Sequence, residues 1–284
     1  MVSGVIQARM GAVRLPGKTL MEIEGKSLLA WTILATRACP SVERVVVATT
    51  VSDKDDPVVS EAERYGAEVF RGDEEDVRSR YLGAAEKLGL DVIVRVCADR
   101  VVFSPWVCHG VVQEYLNSGM AYVSNMSKVT FPIGIDVEIF NRETLIKSCE
   151  LDDLAVDREH VTPAIRRHPE VFSCLSVVAP AVIRRPLYRV CVDTQEDLDV
   201  ARELFAQLEH RPDEPPDIVD VVELLDKRPD LTEYMLAAEQ KYSGSTDTDE
   251  ELATLELSLS YRDEFYAQGE GASARGNDSP APGC

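Results

Sequence analysis

Along the first 125 residues, short apolar runs rich in β-branched side chains alternate with longer segments whose apolar positions recur at helical spacing. Residues 2–8, 44–49, 67–70, 91–96 and 121–124 read as strands, and their nearly continuous apolar character is that of strands buried on both faces. Residues 28–39, 57–65, 77–88 and 105–118 read as helices. Pro57 and Pro105 suit a first helical turn, where the missing N–H has no partner to lose, and the preceding Asp56 and Ser104 suit N-caps. This alternation predicts an α/β fold with a mainly parallel central sheet and helices on both faces.

The second half is less regular. Strands at 136–140 and 172–178 flank helices at 142–151 and 159–167, and a short strand at 190–192 runs into Asp193 and a helix at 194–209. A Pro-rich break at 211–216 precedes helices at 218–227 and 231–242. Past Tyr242 the composition shifts to Gly, Ser, Thr and acids. The expected organisation is one domain over residues 1–242 and an acidic tail over 243–284, with 248–266 forming one acidic helix and 269–284 disordered. No internal repeat is visible.

Composition narrows the function. A net charge of −20, of which −7 falls in residues 243–284, opposes non-specific binding to nucleic acid or an anionic membrane. No apolar run approaches the roughly 18 residues a membrane helix needs, and the first eight residues lack the basic leader of a secretory signal. Seven scattered cysteines without a CxxC pair argue against a disulfide framework or a zinc site and for reduced thiols in a cytoplasm. On so acidic a chain, a cluster of cations carries weight.

Such a cluster follows the first strand. In Gln7-Ala8-Arg9-Met10-Gly11-Ala12-Val13-Arg14-Leu15-Pro16-Gly17-Lys18, three cations are separated by Gly and Pro. Neither the dinucleotide spacing nor a Walker loop is present. The loop should emerge at the carboxyl edge of the sheet, where open α/β folds bind ligands. Arg9, Arg14 and Lys18 would then supply charge to a triphosphate while Ala8, Gly11 and Gly17 let the backbone approach. The competing reading is a solvated turn with incidental basic residues.

From Ile6 to Leu20 the segment resembles the nucleotide loop of cytidylyltransferases of the spore-coat polysaccharide F type, relatives of the CMP-KDO and acylneuraminate synthetases, whose pattern is close to I-Q-A-R-M-G-S-T-R-L-P-G-K-x-L. Further matches follow in order: Val47-Ala48-Thr49-Thr50, Asp55-Asp56-Pro57, Phe70-Arg71-Gly72-Asp73-Glu74-Glu75-Asp76-Val77, Val92-Ile93-Val94-Arg95, Gly134-Ile135-Asp136-Val137-Glu138, Arg158-Glu159-His160-Val161-Thr162-Pro163 and Val192-Asp193-Thr194-Gln195-Glu196-Asp197. The resemblance spans about residues 3–205. It implies a Rossmann-like nucleotide-diphospho-sugar transferase fold, CTP as nucleotide donor, a small acidic acceptor and homodimerisation. It also puts metal-binding aspartates at Asp99 and Asp193, which suits Mg²⁺, since that ion takes one or two protein oxygens plus phosphate. Unaided by the resemblance, Asp99 is equally a turn former and Asp193 an N-cap.

The reaction so implied is in-line attack of an acceptor oxygen on the α-phosphorus with loss of pyrophosphate, in which Lys18, Arg9 and Asp99 are the catalytic candidates. Arg71, Gly72, Asp73 and Arg95 join the candidate nucleotide contacts; Arg100, Asp136, Glu138, Arg158 and His160 are candidate acceptor contacts. A helix-start network is the alternative at Arg158 and His160, and an exposed strand face at Asp136 and Glu138. Four positions depart from the pattern. Ala12 and Val13 replace hydroxyl residues of the loop, Arg100 replaces a small neutral residue beside Asp99, and Ile133 replaces an acid before Gly134. The last two shift the potential upward, toward an acceptor carrying a phosphonate or carboxylate, unless Arg100 simply pairs with a neighbouring acid. A catalytically altered nucleotide-binding homologue and a transferase using another NTP remain the alternatives.

Overall fold

The computed structural model describes residues 1–237 and 252–273. The chain runs β1 (Val2–Gln7), a short hairpin of β2 (Glu22–Ile23) and β3 (Lys26–Ser27), α1 (Leu28–Ala38), β4 (Arg44–Thr50), α2 (Asp56–Arg64), β5 (Glu68–Gly72), α3 (Val77–Leu88) and β6 (Val92–Cys97). It continues with α4 (Pro105–Ser118), β7 (Tyr122–Ser124), β8 (Glu138–Asn141), α5 (Arg142–Leu151), α6 (Ala155–His160), α7 (Pro163–Arg167) and β9 (Cys174–Val178). Last come α8 (Gln195–Gln207), α9 (Ile218–Asp226), α10 (Pro229–Ala237), β10 (Ala253–Glu256) and α11 (Ser260–Ser273).

Eight strands form one sheet in the order β10-β9-β7-β8-β6-β1-β4-β5, in which β8 alone runs antiparallel to its neighbours. The period of two explains why these strands are apolar throughout. In β4, Val45 and Val47 face one core, with Trp31, Trp106 and Phe205, while Val46 and Ala48 face the other, with Tyr81, Phe140 and Leu145. Short side-chain caps start the covering helices: Ser27 accepts from Ala30 N, Asp76 from Ser79 N and Ser104 from Val107 N. Trp31 and Trp106 are fully buried packing groups.

Four local expectations change. Asp56 is the first residue of α2 rather than its cap; Asp55 holds the N-cap position, yet its carboxylate is taken by Met10 N and Thr50. The helix expected at 159–167 is two helices, because Pro163 cannot continue α6 and Val161 turns at φ 70°, its side chain sealed in the second core. Residues 190–192 form no sheet strand; a single bridge joins Ile133 to Arg189. The single acidic helix expected at 248–266 is instead a strand followed by a helix, and that helix continues through Ser273; residues 238–251 and 274–284 lie outside the described residues.

The chain beyond 242 thus contributes to the main sheet. β10 pairs in parallel with β9. Leu257 and Phe265 are buried, and Gly110 of α4 leaves their segment room, since a Cβ there would lie 2.6 Å from Leu257 and 2.7 Å from Tyr261. Arg262 pairs with Asp217 at 2.6 Å, and Tyr261 donates to Glu114 at 3.0 Å. Leu257→Ala is expected to destabilise the protein by about 2–5 kcal/mol and lower Tm by roughly 10 °C. Calorimetry checks this; an unchanged Tm would mean the segment is a solvated tail.

Candidate active site

The loop after β1 is pinned at both ends. Met10 N donates to Asp55 Oδ1 at 2.7 Å, Thr19 Oγ1 donates to Arg9 O at 2.8 Å, and Gly17 takes the left-handed backbone (φ 75°) that starts a short turn at Lys18–Leu20. That turn aims Lys18 beneath the loop. Its Nζ lies 2.8 Å from Asp99 Oδ2, 2.7 Å from Asp193 Oδ1 and 2.8 Å from Val192 O.

The two aspartates arrive from distant parts of the chain. Asp99 stands just past β6, on the strand next to β1. Asp193 precedes α8 but does not cap it. Thr194 does, accepting from Asp197 N, while the Asp197 carboxylate accepts in return from Asp193 N and Thr194 N. Asp193 is thereby left for the site. Gly134 brings the third wall close: at φ 115°, a Cβ there would meet Cys191 N at 2.7 Å, so only glycine lets residues 133–136 lie against 189–192.

Around this centre charges alternate. Arg14 lies 3.0 Å from Asp193, and Arg189 binds both Asp193 and Asp197. Arg100, itself buried, contacts Asp136 at 2.6 Å and stands 3.6 Å from Asp99 Oδ1. Burial works against charge on Lys18, but Asp99 and Asp193 outweigh it and hold the ammonium above its ordinary range. Burial likewise opposes charge on Asp99, where Arg100 and Lys18 prevail, and on Asp193, where Lys18, Arg189 and Arg14 hold the carboxyl well below the usual range. At Asp136 burial wins over Arg100, and its carboxyl sits above the ordinary value.

The arrangement suits a divalent cation between Asp99 and Asp193. Asp99 Oδ1 is buried without a hydrogen bond, and an ammonium already occupies the space that both carboxylates share. No cluster of three or more potential protein ligands occurs among the described residues. Two carboxylates completed by phosphate oxygens and water are what Mg²⁺ accepts.

Other candidates fall elsewhere. Glu138 is corrected: it forms a buried ion pair with Arg95 and also accepts from Tyr122 (2.7 Å) and Thr162, while Arg95 is drawn to Glu138 by that pair and keeps a buried Nε without a hydrogen bond among the described residues. Arg71 donates to Thr50 O (2.8 Å) and Ser52 O (2.7 Å) and pairs with Asp56, bracing the loop after β4. Asp73 accepts from Glu75 N and Asp76 N, closing the turn into α3. Arg158 pairs with Asp153, and His160 is exposed at the end of α6. Arg9 reaches across to Glu74 O at 3.2 Å and Gly11 faces Arg9 and Glu74, so these two stand where the β1 and β5 loops meet, whereas Ala8 is buried with its N–H on Ala48 O. Ile133 is buried against the core, which accounts for the missing acid by packing. Arg189 and Asp55 escaped the sequence reading: their partners Asp193, Asp197, Met10 and Thr50 become neighbours only through the fold.

The chain resembles known proteins along most of its length. The cytidylyltransferase family pattern matches residues 3–218. The spore coat polysaccharide biosynthesis protein SpsF of Bacillus subtilis (strain 168) is 32% identical over 233 residues, 80% of this chain and 94% of that protein. A 3-deoxy-manno-octulosonate cytidylyltransferase of Chromohalobacter salexigens is 32% identical over 50% of this chain and 54% of its own length. Among solved structures, a cytidylyltransferase from Leptospira borgpetersenii serovar Hardjo-bovis superposes with a TM-score of 0.75 at 31% identity, covering 81% of this chain and 96% of that one. A CMP:2-keto-3-deoxy-manno-octonic acid synthetase complexed with CTP shares the fold at 18% identity and a TM-score of 0.56, covering 72% and 98%.

Lys18→Met would leave two largely buried carboxylates facing each other and should destabilise the fold by about 3–5 kcal/mol at neutral pH. Because both carboxyls titrate below their unfolded values, the stability they supply is complete above about pH 4 and is lost as pH falls through their folded values. The deficit of the variant should therefore shrink below pH 4, and millimolar Mg²⁺ should restore part of it at pH 7. Urea denaturation across pH, with and without Mg²⁺, measures both effects.

Proposed function

The chain belongs to the cytidylyltransferase family, and from that premise we propose that it joins CMP from CTP to a small acidic acceptor, a phosphonate or a sugar acid, with Mg²⁺ and release of pyrophosphate. The observation that carries this reading is Lys18 held between Asp99 and Asp193 at the rim of the sheet. When bound there, Mg²⁺ would draw charge off the phosphate oxygens. The protein's part is to hold and orient. Asp99 and Asp193 would carry the ion, releasing Lys18 and Arg14 to grip phosphate oxygens, while Arg9 closes on the nucleotide from the cleft it already spans.

The acceptor belongs on the side of Asp136 and Arg100, beside a recess lined by Asn125, Met126, Val129, Phe131, Ile133 and Asp136. Arg100 is paired with Asp136, so it adds less open positive potential than its sequence position suggested, and it fixes two carboxylates instead. Asp136, held above the usual carboxylate range by burial, suits taking the proton of an acceptor hydroxyl; a phosphonate oxygen would arrive without one. No helix among the described residues is long and apolar enough to cross a membrane.

The test is incubation with CTP, Mg²⁺ and a panel of alkylphosphonates and sugar acids, following pyrophosphate and the mass of CMP adducts. One acceptor should give pyrophosphate and adduct in equal amounts, chelation should stop it, and Asp99→Asn should lower kcat by roughly 100-fold or more. Binding of CTP without turnover on any acceptor would favour the altered homologue; turnover with a different NTP would favour another base.

A further inference from the structure

The two carboxylates that hold Lys18 are supported in different ways. Asp99 follows β6, a central strand paired on both edges, with β1 and β8. Asp193 follows residues 190–192, which meet the body of the sheet only through backbone bonds such as Val190 N to Ile133 O at 2.8 Å and Val192 N to Asp99 O at 3.1 Å. The segment before Asp193 is otherwise fastened to α9 and α10. Arg185 pairs with Asp226 at 2.6 Å, and Tyr188 donates to the same carboxylate at 2.7 Å. Arg189 N lies 3.4 Å from the sulfur of the fully buried Met235. Beside Met235, the Tyr234 hydroxyl donates to Asp197 Oδ1 at 3.0 Å. All of α10 lies beyond residue 218, where the match to the family pattern ends.

Asp197 joins that helix to the site. Its Oδ1 accepts from Tyr234 and, at 3.1 Å, from Arg189 Nε; its Oδ2 accepts from Asp193 N at 2.8 Å and Thr194 N at 2.9 Å. Buried and held by four bonds, this carboxylate has little freedom to turn. Arg189 passes the constraint on, since another nitrogen of the same guanidinium binds Asp193 Oδ2. Asp193 Oδ1 is thereby left facing Lys18 Nζ. In the proposed reaction Lys18 and Arg14 leave Asp193 for the phosphates, and Arg189 stays. A carboxylate released by two cations would swing about its side-chain torsions; one with Oδ2 clamped keeps Oδ1 aimed at the place the ammonium occupied. Partners that orient a metal-binding group in this way strengthen its hold on the ion. Resting on the cytidylyltransferase reading, we propose that Tyr234 is a positioning residue: through Asp197 and Arg189 it fixes the carboxylate of Asp193 and so raises the affinity of the nucleotide-loaded site for Mg²⁺.

Calorimetric titration with CTP, in EDTA and at a series of Mg²⁺ concentrations, tests this on the wild-type protein, Tyr234→Phe and Arg189→Lys. Tyr261→Phe is the control, because it removes a hydroxyl that donates to a carboxylate over the same 3.0 Å, that of Glu114 on α4. The wild type should bind CTP more tightly as Mg²⁺ rises. Tyr234→Phe should need about tenfold more Mg²⁺ for the same gain. Its CTP affinity in EDTA should be unchanged, and saturating Mg²⁺ should restore the wild-type value. Arg189→Lys keeps the charge but loses the fork that spans both aspartates, and it should shift the Mg²⁺ requirement at least as far; if it fails to fold, Tyr234→Phe carries the test. The control should keep the wild-type Mg²⁺ dependence, whatever its Tm. A Tyr234→Phe protein with wild-type Mg²⁺ dependence would overturn the inference and leave the enzymatic reading standing. Weaker CTP binding by that variant in EDTA would make Tyr234 a support of the fold at large and overturn it as well. A wild type that binds no CTP, or binds it without regard to Mg²⁺, would remove the enzymatic reading and this inference with it.

Discussion

The contact on which the site depends is one ammonium between two carboxylates. Lys18 reaches Asp99 and Asp193 at 2.8 and 2.7 Å, and through them it ties together residues separated by 81 and 175 positions in sequence. Without a cation there, two acids would face each other in a largely buried space and repel. Much of the surrounding structure serves to keep this geometry. Thr194 relieves Asp193 of capping duty, Arg189 holds its other oxygen, and Gly134 lets the wall bearing Asp136 come near.

The same contact makes the resting site nearly neutral. Lys18, Arg14, Arg100 and Arg189 are matched by Asp99, Asp193, Asp136 and Asp197. A bare anion gains little from such a site, because each cation it would claim already has a partner. An ion that takes over the two carboxylates frees Lys18 and Arg14 together. On the proposed reading, metal and triphosphate would be coupled by exchange of partners, an electrostatic reason for the nucleotide to enter together with a divalent cation.

The sheet and most of its helices were legible in the sequence because buried parallel strands are apolar on both faces and helices carry caps. Strand–helix alternation, with Ser104 and Pro105 at a helix start, needs no long-range information. The convergence of Lys18 and Asp99 was legible for a different reason: one lies in the loop after β1 and the other just past β6, and neighbouring strand ends of an open sheet meet at one rim. Asp193, by contrast, follows a short apolar run that forms no strand and joins them only through the fold. What escaped were roles set by tertiary partners. Arg95 and Glu138 look available on strands, but only the pairing of β6 with β8 shows that they neutralise each other inside the protein. The segment after 242 reads as a tail because it is acidic, whereas Leu257 and Phe265 find their place only against Gly110 and α4.

Arg71 and Arg80 show how the same residue type can be put to opposite uses at one strand end. Arg71 is the more exposed, and the sequence made it a candidate nucleotide contact; yet all three of its nitrogens are engaged, by two carbonyls and Asp56, so it stiffens the loop that carries Asp55. Asp55 in turn fixes Met10 and hence the loop after β1. Arg80 is hidden behind Gly72, and it is the one whose nitrogens are left without hydrogen bonds. An arginine already braced through all three nitrogens gains less from a new partner than one whose nitrogens are buried without hydrogen bonds. Recognition is therefore expected to follow the unsatisfied group and not the exposed one, and the braced loop between them ties the loop after β1 to the end of β4.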